Sequence, residues 1–220
     1  MKKFLALFCL IAGVASAEMT VVPFKQPEKF PLNFRLVLPK EDSTVVSHKP
    51  EDGFDKITVR RDDDRGSGML VEAVDAAGKR LWHHDFGYNA SATPGCSVSV
   101  SFHPDLMAVI VSYDGYKWDH SRKLLFVEKS TSGYAIREYS EDAPEIQTYI
   151  EKLPNYSKGF KYWIHPSKFV DRSVEFECIP GNPPERQSVH PFAQDARWFN
   201  VTASLDHDFK IIPNAVKGSH

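Results

Sequence analysis

The feature that most constrains the fold is a strict alternation of apolar and polar residues in several short segments. In residues 96–102 the apolar side chains alternate with serines, and in residues 199–205 they alternate with Asn, Thr and Ser. Successive side chains of a β-strand point to opposite faces, so this pattern predicts strands with one buried face. The residues expected in the core on this basis are Val98, Val100, Phe102, Val109, Val111, Phe126, Val174, Phe176, Val201 and Leu205.

Strands are predicted along most of the remaining chain. Turns at 75–78 and 130–133 indicate two hairpins. The unbroken apolar run at 107–111 is typical of a strand covered on both faces. Segment 40–55 is polar and is predicted as a loop. The predicted strands are 32–38, 57–60, 69–75, 80–86, 96–102, 106–113, 123–128, 134–139, 160–165, 169–178, 199–205 and 208–212.

One helix is predicted to interrupt the strands. Asp142 is expected to cap it, Glu145 to complete a capping box, and Pro144 to lie in its first turn. Pro154 ends the pattern. The apolar residues with helical spacing on one face are Ile146, Tyr149, Ile150 and Leu153.

The predicted fold class is therefore all-β with one short helix, in which antiparallel meanders form a sandwich or a curved sheet. The alternative is a partial propeller-like arrangement, because Phe102-His-Pro and Trp163-Ile-His-Pro each precede an apolar strand. A propeller needs at least four blades, and this spacing supplies about three. His103 and His165 each precede a proline and are expected to be turn residues.

Residues 1–17 have the three parts of a cleavable secretory signal. Lys2 and Lys3 precede an apolar run, and Ala15-Ser-Ala17 forms a small-x-small cleavage site. The apolar run is shorter than the roughly 20 residues that span a bilayer as a helix. We therefore expect residues 18–220 to form a single β-rich domain in the periplasm or the medium, without membrane insertion.

The charge balance argues against nucleic acid as a partner. The whole chain has 27 Lys+Arg against 29 Asp+Glu, and loss of Lys2 and Lys3 with the signal takes the net charge from −2 to −4. No run of basic residues is longer than two, as in Arg60-Arg61. Nucleic-acid binding usually requires a basic patch or stripe, which this pattern does not contain.

Two cysteines remain after the signal, and the alternation of residues around them points both side chains inward. Cys96 begins the run at 96–102, and Cys178 ends the run at 174–178. In an oxidising compartment two inward cysteines most simply form a disulfide, so a Cys96–Cys178 bond is predicted. The alternatives are two buried free thiols and a catalytic thiol at Cys96.

Motifs that would fix a reaction are absent from the sequence. Asp62 and Asp64 have the spacing of a calcium loop, but Gly66 and Ala73 stand where the later ligands belong. The chain has no HExxH, no CxxC and no GxSxG. We therefore predict no catalytic residue, no metal ligand and no cofactor, while a metal site assembled from distant loops stays open.

A loop rich in aromatic residues between two predicted strands is the candidate ligand site. Its aromatic rings would form a stacking platform with hydrogen-bonding groups at the rim, as in many sugar or peptide sites. The alternative is that Tyr113 ends a strand and Trp118 covers the core. The candidate ligand-binding residues are Tyr113, Tyr116, Trp118, Asp119, His120 and Arg122.

The predicted function is a non-catalytic extracytoplasmic module that binds a glycan, a peptide or an envelope partner. The alternatives are a secreted hydrolase whose site is built from loops, and a structural or inhibitory partner protein. A pocket with titratable groups in contact would favour the hydrolase, and a broad apolar patch would favour the partner protein.

Overall fold

The computed structural model describes residues 18–40, 43–51, 53–61, 69–86, 96–115, 120–182, 193, 196–206 and 210–217. Within these ranges strands dominate, with one α-helix, α1 (Pro144–Ile150), and a short 3-10 helix at Pro104–Leu106. The strands are β1 (Met19–Pro23), β2 (Asn33–Pro39), β3 (Ser43–Glu51), β4 (Phe54–Arg61), β5 (Leu70–Val74), β6 (Arg80–Asp85), β7 (Cys96–His103), β8 (Ala108–Asp114), β9 (His120–Ser130), β10 (Gly133–Glu138), β11 (Lys161–Val170), β12 (Ser173–Gly181), β13 (Phe199–Leu205) and β14 (Ile211–Lys217).

These strands form three antiparallel sheets. The first sheet has the order β1-β2-β5-β6, the second β10-β9-β8-β7-β4-β3, and the third β11-β12-β13-β14. The two predicted hairpins are confirmed as β5–β6 and β9–β10. The predicted fold class, all-β with one short helix and antiparallel meanders, is confirmed, and none of the described sheets closes into a barrel.

The six-stranded sheet is the middle layer of a sandwich, because each of its faces shares a hydrophobic core with a different sheet. Val109 and Val111 of β8 lie in the first core, which the middle sheet shares with the first sheet. Ala108 and Ile110 of the same strand lie in the second core, shared with the third sheet and α1. The unbroken apolar run at 107–111 is thereby explained, since β8 is covered on both faces as predicted.

The core residues predicted from the alternation are confirmed with one exception. Nine of the ten are buried, and Leu205, at the end of β13, is partly exposed while packing against the second core. The serines that alternate with the buried valines of β7 are also largely covered, with Ser97 and Ser99 each 8% exposed. Their face is covered because β11 lies against β7.

The prediction of a loop at 40–55 is wrong, because β3 occupies Ser43–Glu51 and pairs with β4. It is an edge strand of the middle sheet, and its side chains are exposed or half-buried. An edge strand with little buried surface needs no apolar face, so the composition of β3 resembles that of a loop.

The predicted disulfide is also wrong, since Cys96 and Cys178 are both buried free thiols. Cys96 lies in the first core, where its Sγ is 3.4 Å from Sδ of Met69. Cys178 lies in the second core, and burial raises the pKa of its thiol to about 12. The alternation correctly predicted that both cysteine side chains point inward. They point into different hydrophobic cores, however, and the middle sheet lies between these cores.

The helix is present, but its predicted cap is wrong. Ala143, not Asp142, is the N-cap residue, and it makes no side-chain hydrogen bond to the helix. Its φ of 38° places it in the left-handed region, outside the extended region that a residue before proline normally adopts. Glu145 accepts a hydrogen bond from the Tyr139 hydroxyl instead of completing a capping box.

His103 was predicted as a turn residue; it is the last residue of β7, caps the 3-10 helix that follows, and also ties the middle sheet to the third. Its Nδ1 accepts a hydrogen bond from the backbone N–H of Leu106, which caps the 3-10 helix. Its Nε2 lies 2.6 Å from the carbonyl oxygen of Asp171, in the turn between β11 and β12. A neutral imidazole with its proton on Nε2 satisfies both bonds, and the contact fixes one end of β11.

We expect truncation of a core phenylalanine on either side of the middle sheet to be strongly destabilising. Phe102→Ala in the first core and Phe176→Ala in the second should each lower the free energy of unfolding by about 3–5 kcal/mol, through lost burial and a residual cavity. Denaturant titration measures both, with Tyr134→Ala on the exposed edge of β10 as a control expected within about 0.5 kcal/mol. A core variant no less stable than this control would contradict the two-core arrangement.

The state of the thiols gives a second test of the two separate cores. In the chain without residues 1–17, neither Cys96 nor Cys178 should react with a thiol reagent under native conditions, because both are buried. Both should react after unfolding without a reductant. Failure to detect thiols in the unfolded, unreduced chain would show that Cys96 and Cys178 do form a disulfide.

Candidate functional site

A cavity of about 520 Å³ opens between β9, β11, the segment 139–143 and the start of α1. We call it the β9–β11 pocket. Phe176 of β12, Leu124 of β9 and Ile164 of β11 supply apolar lining that continues into the second core. Charged, polar and aromatic side chains from β9, β11 and the 139–143 segment line the rest.

Strand β9 supplies two basic side chains because it extends beyond the core. Leu124 and Phe126 face the second core, and two-residue periodicity places Arg122 and His120 on the same face further along. At that point the core has ended, and both side chains line the pocket. The face of β9 that is buried in the second core at one end of the strand therefore carries polar side chains into the pocket at the other end.

Strand β11 supplies the opposite wall, with Trp163 and His165 among its lining residues. It is an edge strand, and its register with β12 shifts between Pro166 and Lys168. A proline is tolerated at an edge or a bulge because no ladder hydrogen bond is required there. The prediction that His165 is a turn residue is wrong for this reason, since β11 continues through Pro166.

Five ionisable groups lie near one end of the pocket. Arg122 Nη1 is 3.2 Å from Glu177 Oε2, and Glu177 lies directly opposite His165 in the β11–β12 register. His120 Nδ1 is 3.3 Å from Asp114 Oδ1. Burial is the main reason that the pKa of His165 lies below its ordinary value, and the positive charge of Arg122 adds to the effect.

The segment 139–143 runs beside the part of β9 that β10 leaves unpaired. The backbone N–H of Tyr139 donates to the carbonyl of Leu124, continuing the strand pairing for one further bond. The Tyr139 ring packs against Phe176, with ring centroids 5.8 Å apart. Burial, with the hydrogen bond to Glu145, raises the pKa of Tyr139, so its hydroxyl is neutral.

Lys123 anchors this segment by its ammonium group. Its side chain is 6% exposed, lies 2.9 Å from Glu138 and also binds Glu141, which lines the pocket. Burial alone would lower the pKa of Lys123, but its hydrogen bonds to the two carboxylates outweigh that and raise it. The hydrogen bond and the charge of Lys123 hold the pKa of Glu141 below its ordinary value.

The structure brings together part of the predicted ligand site. His120 and Arg122 line the pocket. Tyr113 is fully buried in the first core, where its ring stacks on Phe86 with centroids 5.7 Å apart, so it does not reach this pocket. Tyr116, Trp118 and Asp119 lie outside the described residues, and their role in binding stays a prediction.

Sequence reasoning missed most of the pocket lining. Trp163 and His165 were visible only as part of the repeated His-Pro pattern, which carried no ligand signal. Tyr139 was predicted as the end of a strand, Glu141 lies between that strand and the predicted helix, and Gln147 lies in the helix, so none of them carried a ligand signal. The aromatic-rich Trp163-Ile-His sequence next to an edge proline was the one available hint.

The described part of the chain contains no group of three or more His, Cys, Asp or Glu side chains arranged to hold a metal ion. The same residues include no helix of sufficient length and apolar character to cross a membrane. The chemistry of the pocket is that of the side chains that line it.

Comparison with known proteins does not assign a family. The chain matches no protein-family model, no curated protein and no solved structure.

We expect Lys123→Met to loosen the segment 139–143. At pH 7 the substitution should lower the free energy of unfolding by about 1 kcal/mol, since two partly exposed carboxylates lose a charged hydrogen-bond donor. The pKa of Glu141 is lowered in the folded protein, so its pairing stabilises above its unfolded pKa and is lost as pH falls through the folded pKa. The difference between the variant and the native chain should therefore shrink in acid.

Denaturant titration at pH 7 and in acid measures this effect. Lys168→Met is the matched control, because Lys168 also pairs with a glutamate, Glu175, but the side chain of Lys168 is 61% exposed. Its effect should stay within about 0.5 kcal/mol. Equal effects of the two substitutions at pH 7 would argue against an anchoring role for Lys123.

Proposed function

We propose that the protein is a non-catalytic, extracytoplasmic binding module whose β9–β11 pocket holds a glycan segment. The observation that carries the proposal is the pocket itself, which combines an aromatic ring, Trp163, with polar side chains such as Arg122, Asp142 and Gln147. Its volume of about 520 Å³ lies within the range of about 300–1,000 Å³ typical of small-ligand sites.

A glycan suits this lining better than a purely apolar ligand. The apolar face of a sugar ring packs on an aromatic side chain, while its hydroxyl groups require both donors and acceptors. Arg122, Lys161 and Gln147 supply donors, and Glu141 and Asp142 supply acceptors. Formal charges in this set balance, with two cations and two carboxylates, as expected for a ligand rich in hydroxyl groups.

The extracytoplasmic location rests on the signal pattern of residues 1–17. The same pattern makes periplasmic or secreted glycans, peptides and envelope components the accessible partners. Among these, a short peptide is the nearest competitor, since it also combines apolar and hydrogen-bonding groups.

A secreted hydrolase is the second candidate, favoured by the convergence of His165, Arg122, Glu177 and Glu141 near one pocket. Nucleophilic catalysis needs a hydroxyl or thiol within hydrogen-bonding reach of a base. No such hydroxyl or thiol is bonded to His165 or His120 among the residues for which the structure gives positions; His120 contacts Asp114. The arrangement therefore supports binding more directly than catalysis.

A structural or inhibitory partner protein would expose a broad apolar patch. The exposed large hydrophobic side chains of the described strands are instead distributed over all three sheets, including Val21 of β1, Val46 of β3, Tyr134 of β10 and Ile212 of β14. This distribution favours a pocket over a flat interface.

The test is Trp fluorescence and calorimetry of the mature chain against an array of envelope glycans and peptides. Trp163→Ala should weaken binding of a glycan at least about tenfold, through loss of the aromatic contact. Trp163→Phe should retain part of the affinity, which separates loss of the ring from loss of the fold. Trp198→Ala, at a partly exposed tryptophan that does not line the pocket, is the control and should bind normally.

Other outcomes would overturn parts of the proposal. Loss of binding in Trp118→Ala but not in Trp163→Ala would move the site to the aromatic-rich segment around Trp118 that the sequence predicted. Binding of peptides alone would replace the glycan with a peptide, and the appearance of cleaved products would make the protein a hydrolase. No binding at all would favour the partner-protein alternative.

A further inference from the structure

Arg122 is held in place with most of its hydrogen-bonding capacity unused by described residues. A guanidinium group has five N–H donors. Among the described side chains, Glu177 accepts from Nη1 at 3.2 Å, and Arg122 remains 24% exposed at the pocket. Glu177 therefore orients the guanidinium while leaving donors for a ligand.

His165 stands beside it as a partly buried imidazole that lines the same pocket. No described residue is hydrogen-bonded to either of its ring nitrogens. Partly buried polar groups without protein partners normally bind water or a ligand. The charged and titratable groups that face His165 are Arg122 and His120 from β9, Glu177 from β12 and Glu141 from the segment after β10.

The chemistry of this pair points to a carboxylate. Two N–H groups of an arginine bind a planar carboxylate side by side, and the negative charge would favour a proton on the adjacent imidazole. A doubly charged phosphate is disfavoured because Glu177 and Glu141 lie close by. Glu141 and Asp142 also line the pocket and would accept hydrogen bonds from ring hydroxyls, so a single acidic group on an otherwise neutral sugar fits best.

We propose that the β9–β11 pocket binds an acidic glycan, whose carboxylate is held by Arg122 and His165. This inference rests on the proposed glycan-binding function and adds the class of glycan.

Proton uptake on binding follows from the geometry. In the free protein His165 is neutral at pH 7, since burial and Arg122 lower its pKa. A bound carboxylate raises that pKa, so the complex takes up protons over the interval between the free and the bound pKa. Affinity should rise about five- to tenfold as the pH falls through this interval below neutrality, and level off once His165 is protonated in the free protein as well.

The experiment pairs each acid with its neutral counterpart. An array of uronic-acid, sialic-acid and muramic-acid oligosaccharides and their methyl esters is bound to the mature chain, with calorimetry of the strongest pair at several pH values and in two buffers of different ionisation enthalpy. The acid should bind at least about tenfold more tightly than its ester. The heat difference between buffers should reveal proton uptake.

Variants assign the effect to the two residues. Arg122→Gln should abolish the preference for the acid over its methyl ester. His165→Gln should remove the pH dependence and the proton uptake. Arg122→Gln combined with Glu177→Gln guards against an unpaired carboxylate disturbing the fold, and Lys168→Gln, away from the pocket, controls for net charge.

The results separate the two proposals. If neutral glycans bind through Trp163 and the acids bind no better, the glycan-binding function stands and this inference fails. If the acid preference survives Arg122→Gln, the carboxylate lies elsewhere and the inference also fails. If no glycan binds at any pH, the proposed function fails and this inference fails with it.

Discussion

The middle sheet is buried on both faces, and the rest of the structure depends on that double burial. Its central strands must be apolar on both sides, which is why β8 carries Val109 and Val111 toward one core and Ala108 and Ile110 toward the other. Burial of a valine or isoleucine side chain contributes roughly 1.5–3 kcal/mol, so each face by itself holds a second sheet against it. The middle sheet lies between the two outer sheets and packs against both.

The pocket is formed where the double burial ends. Strand β9 is longer than the core that it crosses, so its second-core face passes from Phe126 and Leu124 to Arg122 within one strand. Its other face carries Lys123, whose bonds to Glu138 and Glu141 fix the neighbouring segment. Consecutive residues of one strand thus place one cation at the pocket and another at an internal anchor, because their side chains point to opposite faces of the strand.

Edge strands of these sheets are protected from further pairing. Prolines lie in four of them, at Pro23 of β1, Pro50 of β3, Pro166 of β11 and Pro213 of β14. A proline has no backbone N–H to donate, so it interrupts the row of groups that another strand would bind. On β11 the same residue coincides with the bulge beside His165, which links edge protection to the shape of the pocket.

Local pattern was sufficient to predict most of the strands, the two hairpins and nearly all of the core. It did not predict β1, and it ran one strand, 169–178, through the turn between β11 and β12. Alternation in β7 and β13 identified Val98, Phe102 and Val201 as buried, because a two-residue period has one structural meaning when turn residues bound it. The same local evidence failed for β3, whose exposed edge position requires no apolar face. It also placed Arg122 and His120 in a candidate site, since both belong to the aromatic-rich segment that was predicted as a loop, and both line the pocket.

Only the tertiary structure decided which interior each strand faces and which residues meet across the pocket. Cys96 and Cys178 each turn inward as their patterns predicted, yet a sheet lies between them, and no local pattern encodes which of two cores a residue enters. Arg122 and His165 come together because β11 packs against β9, a contact between strands in different sheets. Such contacts depend on how the faces of whole sheets pack against one another. The sequence by itself determines only which face of each strand is apolar.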